Sequence, residues 1–459
     1  MRIFPVFLLL TATGTALAAG LDPFGTAAIT PPAPSPQVAG RQGDAPCARE
    51  IPGGPLSAID AVDLTLCNNP QTREVWAAAR YQAAQVGVVQ AAWLPNLDGS
   101  LGASRYRNDG RYYNVSSAAL TLSWLVFDSG ARSANGENAR QLLAAAAATQ
   151  DATVQSLFLS ALQVFYTAQA TRAAVVSTTE AERAAREGFN AAESRYNVGV
   201  ATPADRLLAQ TALSQATLTR IKAEGDARNA LGALANVMGF KAGQALALEP
   251  PSAELPGSDF QREVAALIAE AEIRRPDLKA AAAQVKAAQA SVDLVQAQGR
   301  PTISLSTGPT WAETDRVSVN GGVIGVTVNV PIFTGLDTTY RVRAAEAQVD
   351  VKNAQLESLR NQVALDVWKA YQSLTTATQS LKTTVDLVAS AEQSERVALG
   401  RYKAGVGTVL DLLTAQSALA SARLQRIQAA LDWFVYRATL AQAVGALDYT
   451  LLRPAAEGR

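Results

Sequence analysis

Two short stretches of this sequence could do the same chemistry twice. Arg195-Tyr196-Asn197-Val198-Gly199-Val200 is followed by Thr202-Pro203-Ala204-Asp205, and Arg401-Tyr402-Lys403-Ala404-Gly405-Val406 by Thr408-Val409-Leu410-Asp411. Gly199 and Gly405 suit the left-handed backbone that ends a helix. Thr202 and Thr408, each with an acid three residues on, read as N-caps whose carboxylates return a bond and complement the helix dipole. On the residues alone, Asp205 and Asp411 cap helices. No histidine stands beside them, because the chain has none. That removes the commonest general base and nitrogen metal ligand. The two cysteines, Cys47 and Cys67, are too few for a zinc site without histidine. No Walker loop, serine elbow or GxGxxG helix start is present. Nothing supplies a nucleophile with a base, so an enzyme, a cofactor and a metal are all unexpected.

The elements that would carry these turns follow from composition. The 459 residues hold 40 basic and 40 acidic side chains, so no charge excess favours nucleic acid. Hydrophobic residues make up 48% but aromatics only 6%. That Ala, Leu and Val mix suits long, closely packed helices. Arg2, the apolar run from Phe4 to Leu10 and Ala16-Leu17-Ala18 read as a cleaved export signal. No cysteine follows the cleavage site, so the lipoprotein route is not expected. No later segment has about 20 continuous apolar residues, so a membrane location requires a β-barrel.

The chain is one unit used twice. Asn68-Asn69-Pro70 matches Arg274-Arg275-Pro276, Pro95 matches Pro301, Phe127 matches Phe333, Asp205 matches Asp411 and Gly239 matches Gly445, every pair 206 residues apart. Each half reads as a short helix, a helix opened by proline, two strands, a very long helix of about 95 Å, the turn and a last helix. Strands are expected at about 97–107, 115–127, 302–312 and 319–333, with Asn108 to Asn114 as a polar turn. Leu97, Gly99 and Leu101 alternate with Asp98, Ser100 and Gly102, and Val326, Val328 and Val330 with Gly325, Thr327 and Asn329. An ordinary half-buried hairpin has this period. With export and duplication it reads as a membrane barrel. Trp124, Trp311, Tyr106, Tyr112 and Tyr113 fall near strand ends, where aromatic girdles sit, while Trp368, Tyr371 and Trp433 read as helix packing residues. Val367, Tyr371, Leu374, Thr378, Leu381, Val385 and Val388 alternate by four and three, a coiled-coil seam.

The expected division is a signal peptide over 1–19, a Pro-rich arm over 20–55, a first repeat over 56–240, a linker over 241–258, a second repeat over 259–447 and a tail over 448–459. Four strands cannot enclose a lumen, eight give a filled barrel, and twelve from three chains give a water-filled one. A disulfide between Cys47 and Cys67 is permitted in an exported chain. Because Cys67 aligns with Ile273, a buried free thiol is the alternative.

Taken together, the Asn-Asn-Pro helix, the Leu-Pro before the first strand, the Phe-x-Gly after the second and the paired RYxxGxxxxxD turns resemble the TolC family of outer-membrane factors over roughly residues 56–447. The resemblance implies an α+β homotrimeric channel-tunnel, with a shared 12-strand barrel in the outer membrane and a periplasmic helical tunnel. It implies a periplasmic adaptor, with an ABC transporter or proton-driven pump in the inner membrane, as partners. The tips Arg195, Tyr196, Gly199, Val200, Arg401, Tyr402, Gly405 and Val406 would dock the adaptor. Asp411 would line the entrance; the family's second acid is Thr414 here, and an arginine of its latch is Gly407. Asp205 and Tyr402 would still help hold the entrance closed. The missing lipoprotein cysteine and the long arm resemble the type I secretion branch, which exports toxins and other large polypeptides. Multidrug efflux is the alternative; a trimeric adhesin or a periplasmic coiled-coil scaffold is more remote.

Overall fold

The computed structural model describes residues 22–41, 47, 50–250, 263–315 and 317–449. The expected signal peptide lies outside the described residues, as do much of the expected linker and nearly all of the tail. The elements in chain order are α1 (Thr26–Ile29), α2 (Ala58–Asn68), α3 (Pro70–Ala91), β1 (Asn96–Asn108), β2 (Arg111–Phe127), α4 (Ala131–Asn197), α5 (Pro203–Val237), α6 (Val264–Arg274), α7 (Pro276–Gln298), β3 (Thr302–Thr314), β4 (Ser318–Asn329), α8 (Asp337–Lys403) and α9 (Val409–Val444). They fall into two compact units. One holds α1, most of α3, the strands, nearly all of α7 and the first parts of α4 and α8. The other holds α2, α5, α6, α9 and the remainder of α4 and α8.

In the first unit the strands form one antiparallel sheet in the order β1-β2-β3-β4. Two details differ from expectation. Asn108 to Asn114 is not a loop: Asp109 and Gly110 alone make the turn, with φ of 50° and 74°, and Arg111 already pairs with Asn108. Asp-Gly supplies the two positive φ values that a tight hairpin needs, so both strands run to the tip. β4 stops at Asn329 rather than near 333, because Pro331 cannot donate to a ladder. β2 pairs with β3, so the sheet joins the two repeats.

The polypeptide passes from helix to sheet through different joints in the two repeats. In the first, buried Asp128 accepts from the Arg132 guanidinium at 2.9 Å and from its backbone N–H at 2.7 Å. Arg132 also donates to the carbonyls of Ala92 and Val126 and lies 4.2 Å over the Trp93 ring. At the matching second-repeat positions, Thr334 and Thr338 hydroxyls meet at 3.2 Å, and Gly299 takes the place of Trp93.

In the second unit each repeat seats the end of its last helix against the joint that precedes its own proline-started helix. Gly239 follows α5 with φ +81°, and a Cβ there would come within 2.8 Å of the Asn68 carbonyl oxygen. Gly445 follows α9 with φ +76° against the Arg274–Arg275 peptide at 3.1 Å. Asn69 donates to the Val237 carbonyl at 3.0 Å and Arg275 to the Ala443 carbonyl at 3.4 Å, satisfying helix-end carbonyls that would otherwise be bare. Gly239→Ala is expected to cost about 1–3 kcal/mol from the left-handed backbone alone, and more from the overlap. Gly445→Ala should cost less, since its neighbours stand farther off. Paired thermal melts of the two variants check the order.

The arm is tied into this unit. Leu56 donates its backbone N–H to Ala247 at 2.7 Å and accepts from Glu249 at 3.0 Å. Cys47 and Cys67 are disulfide-bonded, with Cα atoms 5.7 Å apart. Asp63 on α2 accepts from the Tyr449 hydroxyl at 2.7 Å and pairs with Arg41. A residue of the arm and one near the C-terminal end of the described chain thus meet on one carboxylate.

The seam along α8 runs through Val363, Val367, Ala370, Leu374, Ala377, Leu381, Thr384, Val388 and Ala391, all buried in a strict four-three alternation. Tyr371, Thr378 and Val385, expected in the seam, sit one residue outside it and are half-buried. Small residues win alternate positions because Ala370, Ala377 and Thr384 let the helices approach more closely. Trp433 is buried as a packing residue should be, whereas Trp368 is half exposed within the single chain.

Candidate functional site

The helix tips are built by identical local chemistry. At the end of α4, Gly199 (φ +80°) donates to the Tyr196 carbonyl at 2.9 Å and Val200 to that of Arg195 at 3.0 Å. At the end of α8, Gly405 (φ +82°) and Val406 make the same bonds to Tyr402 and Arg401 at 3.1 and 3.0 Å. Thr202 and Thr408 then accept from the N–H groups of Asp205 and Asp411, and each carboxylate bonds back to the threonine N–H. These are two capping boxes, so the acids satisfy free helix donors. The turn pushes Val198, Val200, Val406 and Leu410 into the open, each more than half exposed.

The two turns pack on each other through an apolar cluster of Ala192, Ala209, Tyr402, Val409 and Leu412. Arg195 donates to the Tyr402 carbonyl at 2.8 Å and lies 4.9 Å over its ring. The Tyr402 hydroxyl is buried and has no hydrogen-bond partner among the described residues, and burial holds the phenol above its usual range. It makes no bond to Asp205, whose carboxylate is engaged by Thr202. Asp411 and Thr414 are both exposed on α9. At position 407, a Cβ would stand 3.1–3.2 Å from Arg401 and the Tyr402 nitrogen, so an arginine there would need its neighbours to give by a few tenths of an ångström.

The Asp411 carboxyl is held below the usual carboxylate range by the Thr408 hydroxyl, with the Thr408 N–H and Arg401 adding to the effect. A lowered folded-state pKa adds stability above the unfolded pKa, and this is lost as pH falls through the folded one. The negative charge at the tip should therefore survive to below about pH 3.9, the ordinary aspartate value. The Asp411 carboxyl followed by NMR against pH should titrate only beneath that point, and Asp411→Asn should remove that titration.

Farther back from the turns, Glu182 on α4 accepts from Arg220 and Thr217 of α5 and from Arg186 at 2.8 Å. Arg423 of α9 reaches Glu180 at 2.7 Å and Glu392 at 3.0 Å. The cross-helix pairs made by Arg220 and Arg423 are not legible in the sequence, because the partners lie on different helices.

The sheet has two unlike faces, fixed by its register. Leu97, Leu101, Leu120, Leu122, Trp124, Leu305, Trp311, Ile324, Val326 and Val328 share one face. Asp98, Ser100, Ser104, Ser117, Thr121, Ser123, Ser304, Ser306, Thr310, Thr327 and Asn329 share the other. The apolar side chains are open, Leu101 at 76% and Ile324 at 79% exposure, so within one chain nothing covers them. β1 and β4 each pair on one side only among the described residues. Of the expected girdle, Tyr112, Trp124 and Trp311 lie on the apolar face. Tyr106 and Tyr113, directly paired and stacked at 5.5 Å, lie on the polar one.

No helix among the described residues is long and apolar enough to cross a membrane, and no cluster of three or more metal-ligating side chains forms. A two-faced sheet with open edges, set in a helix-rich chain built twice, defines a subunit of an outer-membrane channel. The model of the outer membrane efflux protein family matches residues 61–240 and 267–446, and the chain belongs to that family. It is 33% identical over 404 residues to Protein CyaE of Bordetella pertussis, covering 85% of this chain and 84% of that one. It is 27% identical over 392 residues to the outer membrane efflux protein BepC of Brucella suis, covering 82% and 83%. Its fold matches the crystal structure of the outer membrane protein VceC of Vibrio cholerae with a TM-score of 0.75 at 21% identity, covering 84% and 96%. The protein is thus an outer-membrane component of export and efflux systems, and its family is one of transport ducts rather than enzymes.

Proposed function

We propose that three copies of this chain close one water-filled barrel, and that the duct passes a large polypeptide by type I secretion. The sheet carries this reading: its apolar face suits lipid, its polar face suits a lumen, and its open edges require neighbours. Twelve strands leave an aqueous bore where eight would be filled. The long Pro-rich arm over residues 20–55 supports the secretion reading over drug efflux. An ABC transporter and a periplasmic adaptor would complete the path, the adaptor meeting the tips at Val200, Val406 and their turns. A strain lacking the gene should lose one large secreted protein while its drug and detergent sensitivity barely changes. Broad hypersensitivity with intact secretion would assign the duct to efflux.

Asp411 forms an acidic ring at the entrance in this reading, weaker for having Thr414 rather than a second acid one turn on. Asp205 and Tyr402 help hold the entrance closed. The Tyr402 hydroxyl has no partner among the described residues, so Tyr402 acts in the latch through the packing of its ring. Tyr402→Ala with Asp205→Ala is expected to raise single-channel conductance, whereas Tyr402→Phe should not lower subunit stability, because an unpartnered buried hydroxyl contributes none. Unchanged conductance would remove both residues from the latch.

A further inference from the structure

The β1–β2 hairpin carries an arrangement that the duct reading does not use. Arg105 pairs across the strands with Asn114, and Arg107 with Tyr112. By that register both arginines stand on the apolar face, above Leu97 and Leu101 of the same strand. Their guanidinium carbons lie 4.9 and 5.5 Å from the Tyr112 ring, so one ring holds two cations near each other. Neither arginine makes an ion pair with a described residue. The nearest acids on β3 are Glu313, opposite Ser116, and Asp315 just past the strand. Asp315 accepts from the Asn114 N–H at 2.9 Å and from its side-chain amide at 3.3 Å. β4, the other open edge, contains no carboxylate to bring alongside β1 in a closed barrel.

Two like charges held together without a counter-ion call for an anion, and their place fixes which one. They rise from the membrane face, two residues beyond the apolar band, where arginine stems lie along hydrocarbon and the heads reach the interface. We propose that Arg105 and Arg107, held by Tyr112, bind the phosphate of a glycolipid headgroup in the outer leaflet. Guanidinium is the cation suited to this, since its fork meets phosphate oxygens in pairs. The site rests on the outer-membrane location of the chain and not on the cargo of the duct.

The test uses the full-length protein purified in detergent and mixed with diphosphorylated lipid A, with bound lipid counted by native mass spectrometry. The wild type should retain diphosphorylated lipid A over its dephosphorylated form. Arg105→Gln with Arg107→Gln should lower retention at least roughly tenfold, the loss of more than one charge-assisted bond. Tyr112→Phe should keep it, since the ring face remains. Equal retention by the wild type and the double variant would overturn the proposal. So would displacement of the lipid by inorganic phosphate at equal concentration, which would mark a site for any anion. Wild-type protein that discriminates lipids but conducts no current in planar bilayers would sink the duct and leave this site standing.

Discussion

Arg132→Ala is expected to cost about 3–5 kcal/mol, because it strands a buried carboxylate. Asp128 and Arg132 are both nearly closed to solvent, and the guanidinium serves four groups at once: the carboxylate, the Ala92 and Val126 carbonyls and the Trp93 ring. Removal leaves the carboxylate without its cation and two backbone carbonyls without a donor. The second repeat shows how the same joint is made without charge, with Thr334 and Thr338 at 3.2 Å. Asp128→Thr with Arg132→Thr copies that solution and should lose less than Arg132→Ala, since no charge stays buried. Thermal melts of the assembled protein compare them. A single variant as stable as the wild type would mean that water reaches Asp128.

Ile324→Arg and Thr121→Arg should behave oppositely, although both place the same cation in the middle of a strand. Ile324 lies on the apolar face and Thr121 on the polar one. Against lipid at the bilayer midplane an arginine costs about 2–4 kcal/mol, and in a lumen it is tolerated and changes selectivity instead. Ile324→Arg should reduce the heat-resistant oligomer seen on unboiled gels. Thr121→Arg should leave that oligomer intact and lower cation conductance. If both variants assembled equally well, the face assignment would be wrong.

Much of this was legible in the sequence, for identifiable reasons. Glycine and threonine-acid pairs at fixed offsets signalled the tip turns, because those residue types have few other uses at helix ends. Strict alternation marked the strands. A Tyr-rich polar stretch has the composition of a loop, whereas the hairpin turn needs only Asp109 and Gly110. Hydrophobicity alone puts the α8 seam one position off in alternate turns, because Tyr371 and Val385 outrank Ala370 and Thr384 on it. The Asp128–Arg132 joint left a weak trace, an acid four residues before an arginine, absent from the second repeat. What it holds together, the ends of α3, β2 and α4, is visible only in three dimensions. The polar-face position of Tyr106 and Tyr113 likewise depends on strand register, which composition does not carry.

Cysteine labelling in a conducting bilayer tests the central claim most directly. Ser306 and Leu305 are neighbours on β3 with opposite faces, and Cys47 and Cys67 are already bonded to each other. Ser306→Cys and Leu305→Cys would each be reacted with a bulky cationic thiol reagent while single-channel current is recorded. The account predicts stepwise reductions of current for Ser306→Cys, three to each channel if three copies share the barrel, and none for Leu305→Cys. Block at position 305 with none at 306, or no channel at all, would contradict it.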